Sequence, residues 1–166
     1  MPVMNFLTTC IFDHGAVTKL SGVMQKLGVT RPLIITDKGI KAAGILDTVL
    51  DAMASEPAAV FADTVPNPTE DQAIATAALY KDIGADGLIA LGGGSSMDLA
   101  KAVGLLATHE GELAKYAARL GGAKLIGEIP PLIAIPTTAG TGSEVSVGLI
   151  NTLNNCLLYT SDAADD

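Results

Sequence analysis

Leu88-Ile89-Ala90-Leu91-Gly92-Gly93-Gly94-Ser95-Ser96-Met97-Asp98-Leu99-Ala100-Lys101 joins a short apolar run to three glycines and then to a segment with helical spacing. It reads as a strand, a tight loop and the start of a helix. Successive backbone N–H groups and the positive end of a helix dipole point outward together at such a junction, which suits it to cradling phosphate. Glycine accepts positive φ there and lets a ligand come close to the backbone. The same residues also read as a flexible turn, with Ser95 or Ser96 capping the helix that follows. The loop is neither G-x-G-x-x-G nor a Walker loop, because no Gly-Lys-Ser/Thr follows the glycines. Asp98 is expected in the first helical turn, where the dipole alone accounts for a carboxylate.

Working outward, the chain alternates two kinds of segment. Val17, Leu20, Val23, Met24 and Leu27 recur at three- and four-residue spacing, predicting a helix over 16–27 that Gly28 ends. Pro32-Leu33-Ile34-Ile35-Thr36 is a continuous apolar run of the kind buried on both faces of a parallel sheet. A helix is expected over about 39–53, then a strand at Ala59-Val60-Phe61. Another helix follows Val65-Pro66-Asn67-Pro68-Thr69, with Thr69 and Gln72 at capping-box spacing and Ala73, Ala77 and Tyr80 on one face. Met97, Ala100, Val103 and Ala107 form the inward face of the helix after the glycine loop, which ends near His109. A softer helical stretch around 112–120, a loop at Gly121-Gly122 and a strand at Leu132-Ile133-Ala134-Ile135 complete the pattern. Strand and helix in alternation predict an α/β fold: a Rossmann-like open parallel sheet with helices on both faces.

Three polar features then fall at the carboxyl ends of apolar runs, the edge at which open α/β sheets hold their ligands. They are Asp37, the Gly92–Asp98 loop, and Pro136-Thr137-Thr138-Ala139-Gly140-Thr141-Gly142-Ser143-Glu144. Asp37 reads either as a helix cap or as a carboxylate that accepts hydrogen bonds from an adenosine ribose. In the second role it would repel a 2′-phosphate and favour NAD over NADP. Hydroxyls on permissive glycine backbone, as in 137–144, suit a phosphate, a ribose or a nicotinamide amide, although a plain surface loop has the same composition.

Composition narrows the partners. Hydrophobic residues make up 49% of the 166 and aromatic residues 4%, with 18 Gly, no Trp and a mean hydropathy of +0.42, which excludes disorder. A net charge of −8 disfavours nucleic acid. No apolar run reaches the length of a membrane span, and Met1-Pro2-Val3-Met4-Asn5 does not open a signal peptide, so a cytoplasmic setting is expected. Cys10 and Cys156 have no metal or disulfide spacing, and Cys10 is expected to be a small buried residue. His14 and His109 stand apart from any second ligand, so surface or structural roles are expected for both. No Ser-His-Asp set or carboxylate pair is present from which catalytic residues could be assigned.

The motifs Thr36-Asp37, Val65-Pro66-Asn67-Pro68-Thr69, Gly92 to Lys101 and Ile135 to Val145 together resemble the iron-activated (group III) alcohol dehydrogenases, in register from about Phe6 to Ile150. The resemblance implies a dinucleotide-binding α/β domain, here residues 1–155, followed in the family by an all-helical domain. It implies that Asp37 holds the adenosine ribose. Asn67, Gly93, Gly94, Ser95 and Asp98 would surround the pyrophosphate, with Gly92 and Ser96 belonging to the same loop. Thr137, Thr138, Thr141 and Ser146 would line the path to the nicotinamide. The reaction implied is reversible hydride transfer between a small alcohol and NAD, less readily NADP. A divalent metal, Fe²⁺ or Zn²⁺, polarises the substrate oxygen in that reaction. The family's aspartate and three histidines that bind the metal lie well beyond the 137–144 loop, and none is assignable here. The chain is therefore expected to be a cofactor-binding fragment, inactive alone, of a homo-oligomeric enzyme. The alternatives are a stand-alone NAD-binding module or a fragment of a glycerol-dehydrogenase-like enzyme.

Cys156-Leu157-Leu158-Tyr159-Thr160-Ser161-Asp162-Ala163-Ala164-Asp165-Asp166 resembles the translation of a transposon-end sequencing adapter used in preparing DNA libraries. Residues 156–166 are accordingly expected to be non-native, the other reading being a natural acidic tail. Without Asp162, Asp165 and Asp166 the net charge falls from −8 to −5.

Overall fold

A computed structural model of the chain describes residues 3–5, 8–117, 121–146, 148–153 and 156–160. At its centre lies a four-stranded, wholly parallel sheet built from β3 (Pro32–Ile35), β4 (Ala59–Phe61), β5 (Gly87–Gly92) and β6 (Leu132–Pro136), in the order β4-β3-β5-β6. All of β3 and β5 is buried, which is why both read as unbroken apolar runs rather than as alternating ones.

Register sorts their side chains into two cores. Ile34 pairs with Ile89, and Ile89 with Ile133. Ile34, Ile89 and Leu91 meet Leu20 and Met24 of α1 (Leu20–Leu27) and Leu46 and Val49 of α3 (Ile45–Asp51). The alternate residues Leu33, Ile35, Leu88 and Ala90 meet Ala73, Ala77 and Tyr80 of α4 (Glu70–Asp82) and Met97, Ala100 and Val103 of α5 (Gly94–Thr108). Helices thus cover both faces of the sheet, and the small side chains of α4 and α5 let these two lie close together.

Backbone chemistry explains where the elements differ from the periodicity. The helix expected over 39–53 is two, α2 (Lys38–Ala42) and α3, because Gly44 between them takes a left-handed conformation at φ 72. The one expected over 16–27 opens as a 3₁₀ turn, Ala16–Lys19, before α1 begins. Gly28 ends α1 at φ 72, as its sequence position foretold. The stretch at 112–120 yields only a 3₁₀ turn, Leu113–Tyr116, and its residues 118–120 lie outside the described ones. Gly122–Leu125, expected as loop, is a second such turn. The capping box is half made. Thr69 Oγ1 accepts from Gln72 N at 3.2 Å, but the Gln72 amide turns instead to Asp63 O and Val65 N.

Two small antiparallel pairs had no counterpart in the periodicity: β1 (Val3–Asn5) with β2 (Thr9–Ile11), and β7 (Ile150–Leu153) with β8 (Cys156–Thr160). Cys10 lies in β2 and is half-buried rather than buried, since a two-stranded ribbon covers only one face.

Asp86 ties the two turns that precede β3 and β5. Its carboxylate accepts from Thr30 N at 2.8 Å, Thr30 Oγ1 at 2.6 Å and Arg31 N at 2.8 Å. Burial pushes its pKa up, yet these donors outweigh burial and hold it below the ordinary carboxylate value. Because the folded pKa is the lower one, the stabilisation is complete above the unfolded value of about 3.9 and is lost as pH falls through the folded value. Asp86→Ala is expected to cost about 1–3 kcal/mol at pH 7. Urea titrations of both proteins should show that gap closing below about pH 4. A gap independent of pH would rule out the carboxylate as its source.

Candidate nucleotide site

Because all four strands run the same way, the residues after β4, β3, β5 and β6 come side by side at one sheet edge. There they line a cleft of about 490 Å³, on which Asp37, Thr64, Gly93, Gly94, Thr137 and Thr138 converge.

Of the two readings of Asp37, the structure shows the helix cap. Its Oδ1 accepts from Ile40 N at 3.0 Å, capping α2, and the residue also lines the cleft. The glycine loop departs from expectation. Gly93 is the cap of α5 and no side chain caps it, so Ser95 and Ser96 lie inside the first turn rather than before it. First-turn N–H groups without a side-chain acceptor are suited to an anionic ligand. Ser95 Oγ instead accepts from Asn67 N at 3.3 Å, and Asn67 itself sits at φ 52 in the left-handed region.

The loop after β6 folds over the glycines. Thr137 N donates to Gly92 O at 2.9 Å. A Cβ placed on Gly93 would lie 3.3 Å from Thr138 Oγ1, and one on Gly94 would lie 3.1 Å from Ser143 Oγ. Side chains at these positions would fill the cradle. Thr141 packs beside Gly94 and its Oγ1 accepts from Ser143 N at 3.4 Å.

The other expected residues stand back from the cleft lining. Asn67 and Ser146 are exposed, and Ser146 Oγ accepts from Gly148 N at 3.0 Å. Gly92 lies beneath the cleft, at the end of β5. Asp98 falls in the second turn, not the first, because α5 starts as early as Gly94; it is buried 3.8 Å from Lys101 Nζ. Lys101 also donates to Gly148 O at 2.7 Å. Burial lowers the pKa of Lys101, against the pull of the Asp98 and Glu144 carboxylates.

Sequence reasoning missed Thr64. It lies just past the end of β4, so the edge rule that picked out Asp37 also reaches it. The hydroxyl oxygens of Thr64 and Thr36 are buried without a protein partner. A cleft lined by a glycine cradle, a carboxylate and Thr64 fits a nucleotide with its alternation of anion and polar sugar. A metal finds no such fit: among the described residues, no three His, Cys, Asp or Glu side chains stand together. His109 is occupied structurally, its Nε2 accepting from Gly127 N at 2.7 Å and its ring standing edge-on to Tyr116. No helix among the described residues is long and apolar enough to cross a membrane.

The chain is 49% identical over 156 residues to 4-hydroxybutyrate dehydrogenase of Cupriavidus necator, covering 93% of this chain and 41% of that protein. Against 1,3-propanediol dehydrogenase of Klebsiella pneumoniae the figures are 35% identity, 88% and 37%. Among solved structures, sulfoacetaldehyde reductase from Bifidobacterium kashiwanohense in complex with NAD⁺ superposes with a TM-score of 0.76 at 29% identity, over 89% of this chain and 40% of that one. The chain therefore spans about two fifths of the length of these two curated relatives. The sequence model of the iron-containing alcohol dehydrogenases matches residues 8–156, more than half of the chain, and to that family the chain belongs.

Proposed function

We propose that this chain binds NAD, in preference to NADP, as the cofactor half of an oxidoreductase acting between a small alcohol and its aldehyde or ketone. The observation that carries the proposal is the convergence of Asp37, Gly93, Gly94, Thr137 and Thr138 on one cleft. Asp37 would accept from the ribose hydroxyls, and its charge stands where a 2′-phosphate would lie. The N–H groups of the first α5 turn would hold the pyrophosphate, and Thr137 and Thr138 would orient the nicotinamide. The bound cofactor supplies the hydride acceptor; these residues bind it and fix its orientation. Ser95 and Ser96, which also line the cleft, would stand beside the pyrophosphate, and Asn67, Asp98, Thr141 and Ser146 act in the same proposal as supports for the loops around it.

The NAD⁺ complex of a structural neighbour and the dehydrogenase names of the relatives support this reading. Iron or zinc chemistry belongs to the whole enzyme in this proposal, and no step of it is assigned to these residues. A homo-oligomeric, cytoplasmic enzyme is part of the same reading. Calorimetric titration of the purified chain is expected to show NAD binding more tightly than NADP, with no NADH formed when alcohols are added. Equal affinity for the two cofactors would remove the role of Asp37, and alcohol-dependent turnover would refute inactivity.

We propose further that the domain is residues 1–155 and that 156–166 are translated adapter. The family match ends at residue 156, which supports this. The pairing of β8 with β7 does not oppose it, because an apolar strand of any origin can add to a free edge. Asp162, Asp165 and Asp166 lie outside the described residues. Codons for 156–166 that differ from the adapter would end the idea.

A further inference from the structure

Strand order lays the cleft residues out in space as Thr64 after β4, Asp37 after β3, Gly93 and Gly94 after β5, and Thr137 and Thr138 after β6. A dinucleotide with its pyrophosphate on the α5 N-terminus therefore extends one nucleoside over β3 and β4 and the other over β6. With Asp37 on the adenosine ribose, the adenine half reaches toward Thr64.

Thr64 is only 8% exposed, lines the cleft, and its Oγ1 has no partner within the protein. Burying a hydroxyl without a hydrogen bond is unfavourable, and native proteins seldom tolerate it without reason. The backbone around it is held on every side. Thr64 N donates to Thr36 O at 3.2 Å, Gln72 Nε2 donates to Asp63 O at 2.8 Å, and Val65 N donates to Gln72 Oε1 at 3.3 Å. This is where the half-made capping box finds its purpose: the Gln72 amide leaves Thr69 in order to brace both neighbours of Thr64. Asp63 also pairs with Lys38 of α2 at 2.9 Å, bridging the loop to the helix that Asp37 caps. Thr64 is thus held by a braced loop at the end of the cleft farthest from Thr137 and Thr138, with its hydroxyl oxygen buried and unpaired.

We propose that Thr64 Oγ1 hydrogen-bonds the adenosine half of the dinucleotide, a binding role separate from those of Asp37 and the glycine loop. The inference rests on the dinucleotide reading above. A neutral hydroxyl both donates and accepts, which suits a base nitrogen, an amino group or a ribose hydroxyl.

The test is calorimetric titration of the 166-residue chain with NAD, AMP and nicotinamide mononucleotide. Thr64→Val is nearly isosteric and is expected to weaken NAD and AMP about fivefold, the worth of one net hydrogen bond. It should leave the mononucleotide untouched. Thr64→Ala should match it, and Thr64→Ser should bind as the parent does. Unchanged NAD and AMP affinities in Thr64→Val would overturn the inference while leaving the dinucleotide reading intact. Equal losses for all three ligands would overturn it as well, because they report a distorted cleft rather than a lost contact. A parent chain that fails to bind NAD takes down the dinucleotide reading and this inference with it.

Discussion

Gly92→Ala is expected to lower NAD affinity by more than about tenfold and to destabilise the chain by about 2–4 kcal/mol. Gly92 closes β5 at φ 145, a conformation that side-chain-bearing residues rarely adopt. A Cβ there would lie 2.7 Å from Ser96 Oγ and 3.1 Å from Ser96 Cβ, and 3.4 Å from Asp37 Oδ2. Ser96 is buried in the first turn of α5, and its Cβ is fixed to the helix backbone whatever rotamer the hydroxyl takes. The backbone must therefore shift, and Gly92 O is also the acceptor that docks Thr137. One methyl group thus disturbs the first turn of α5, the Asp37 carboxylate and the threonine loop together. Urea denaturation and calorimetry check the two effects separately. Parent-like values in both would contradict the close packing of Gly92 against Ser96.

Ile89→Ala is expected to cost about 3–5 kcal/mol, a large share of a total stability of roughly 5–15 kcal/mol. Ile89 is fully buried at the centre of β5, flanked by Ile34 of β3 and Ile133 of β6. Its side chain belongs to the core shared with α1 and α3. Truncation there leaves a cavity between three strands and two helices, and a braced sheet collapses little to fill it. Ile74 on α4 offers the same chemical change in a different setting, being 50% exposed. Ile74→Ala should cost less than about 0.5 kcal/mol. Denaturant midpoints of the two variants compare burial at constant chemistry, and similar midpoints would refute the placement of Ile89.

Much of the site is legible in the residues alone. Asp37, the glycine loop and the 137–144 loop each end an apolar run, and a parallel sheet has to bring such ends to one edge. Elsewhere, local signals compete and non-local packing decides. Serines at 95 and 96 are good capping residues, but β5 extends through Gly92 and leaves Gly93 as the cap. That shift moves Asp98 into the second turn and buries it against Lys101. The apolar period of 39–53 runs on through Gly44 without registering its left-handed backbone. Thr64 carries only the weak signal of lying past the end of β4, and a lone threonine near a Pro-Asn-Pro turn otherwise looks like ordinary loop.

By itself the sequence determined the alternation of strand and helix, the two-sided burial of β3 and β5, and the polar character of every loop at their carboxyl ends. These follow from periodicity and residue chemistry, which are local. Only the tertiary structure decided that β4 lies beside β3, which loops share a cleft, and which hydroxyls are buried there unpaired. The physical reason is that an apolar strand specifies which of its faces are buried but not which strand lies next to it. That choice is made by helix packing across the whole sheet, and it carried Thr64 to the edge where Asp37 stands.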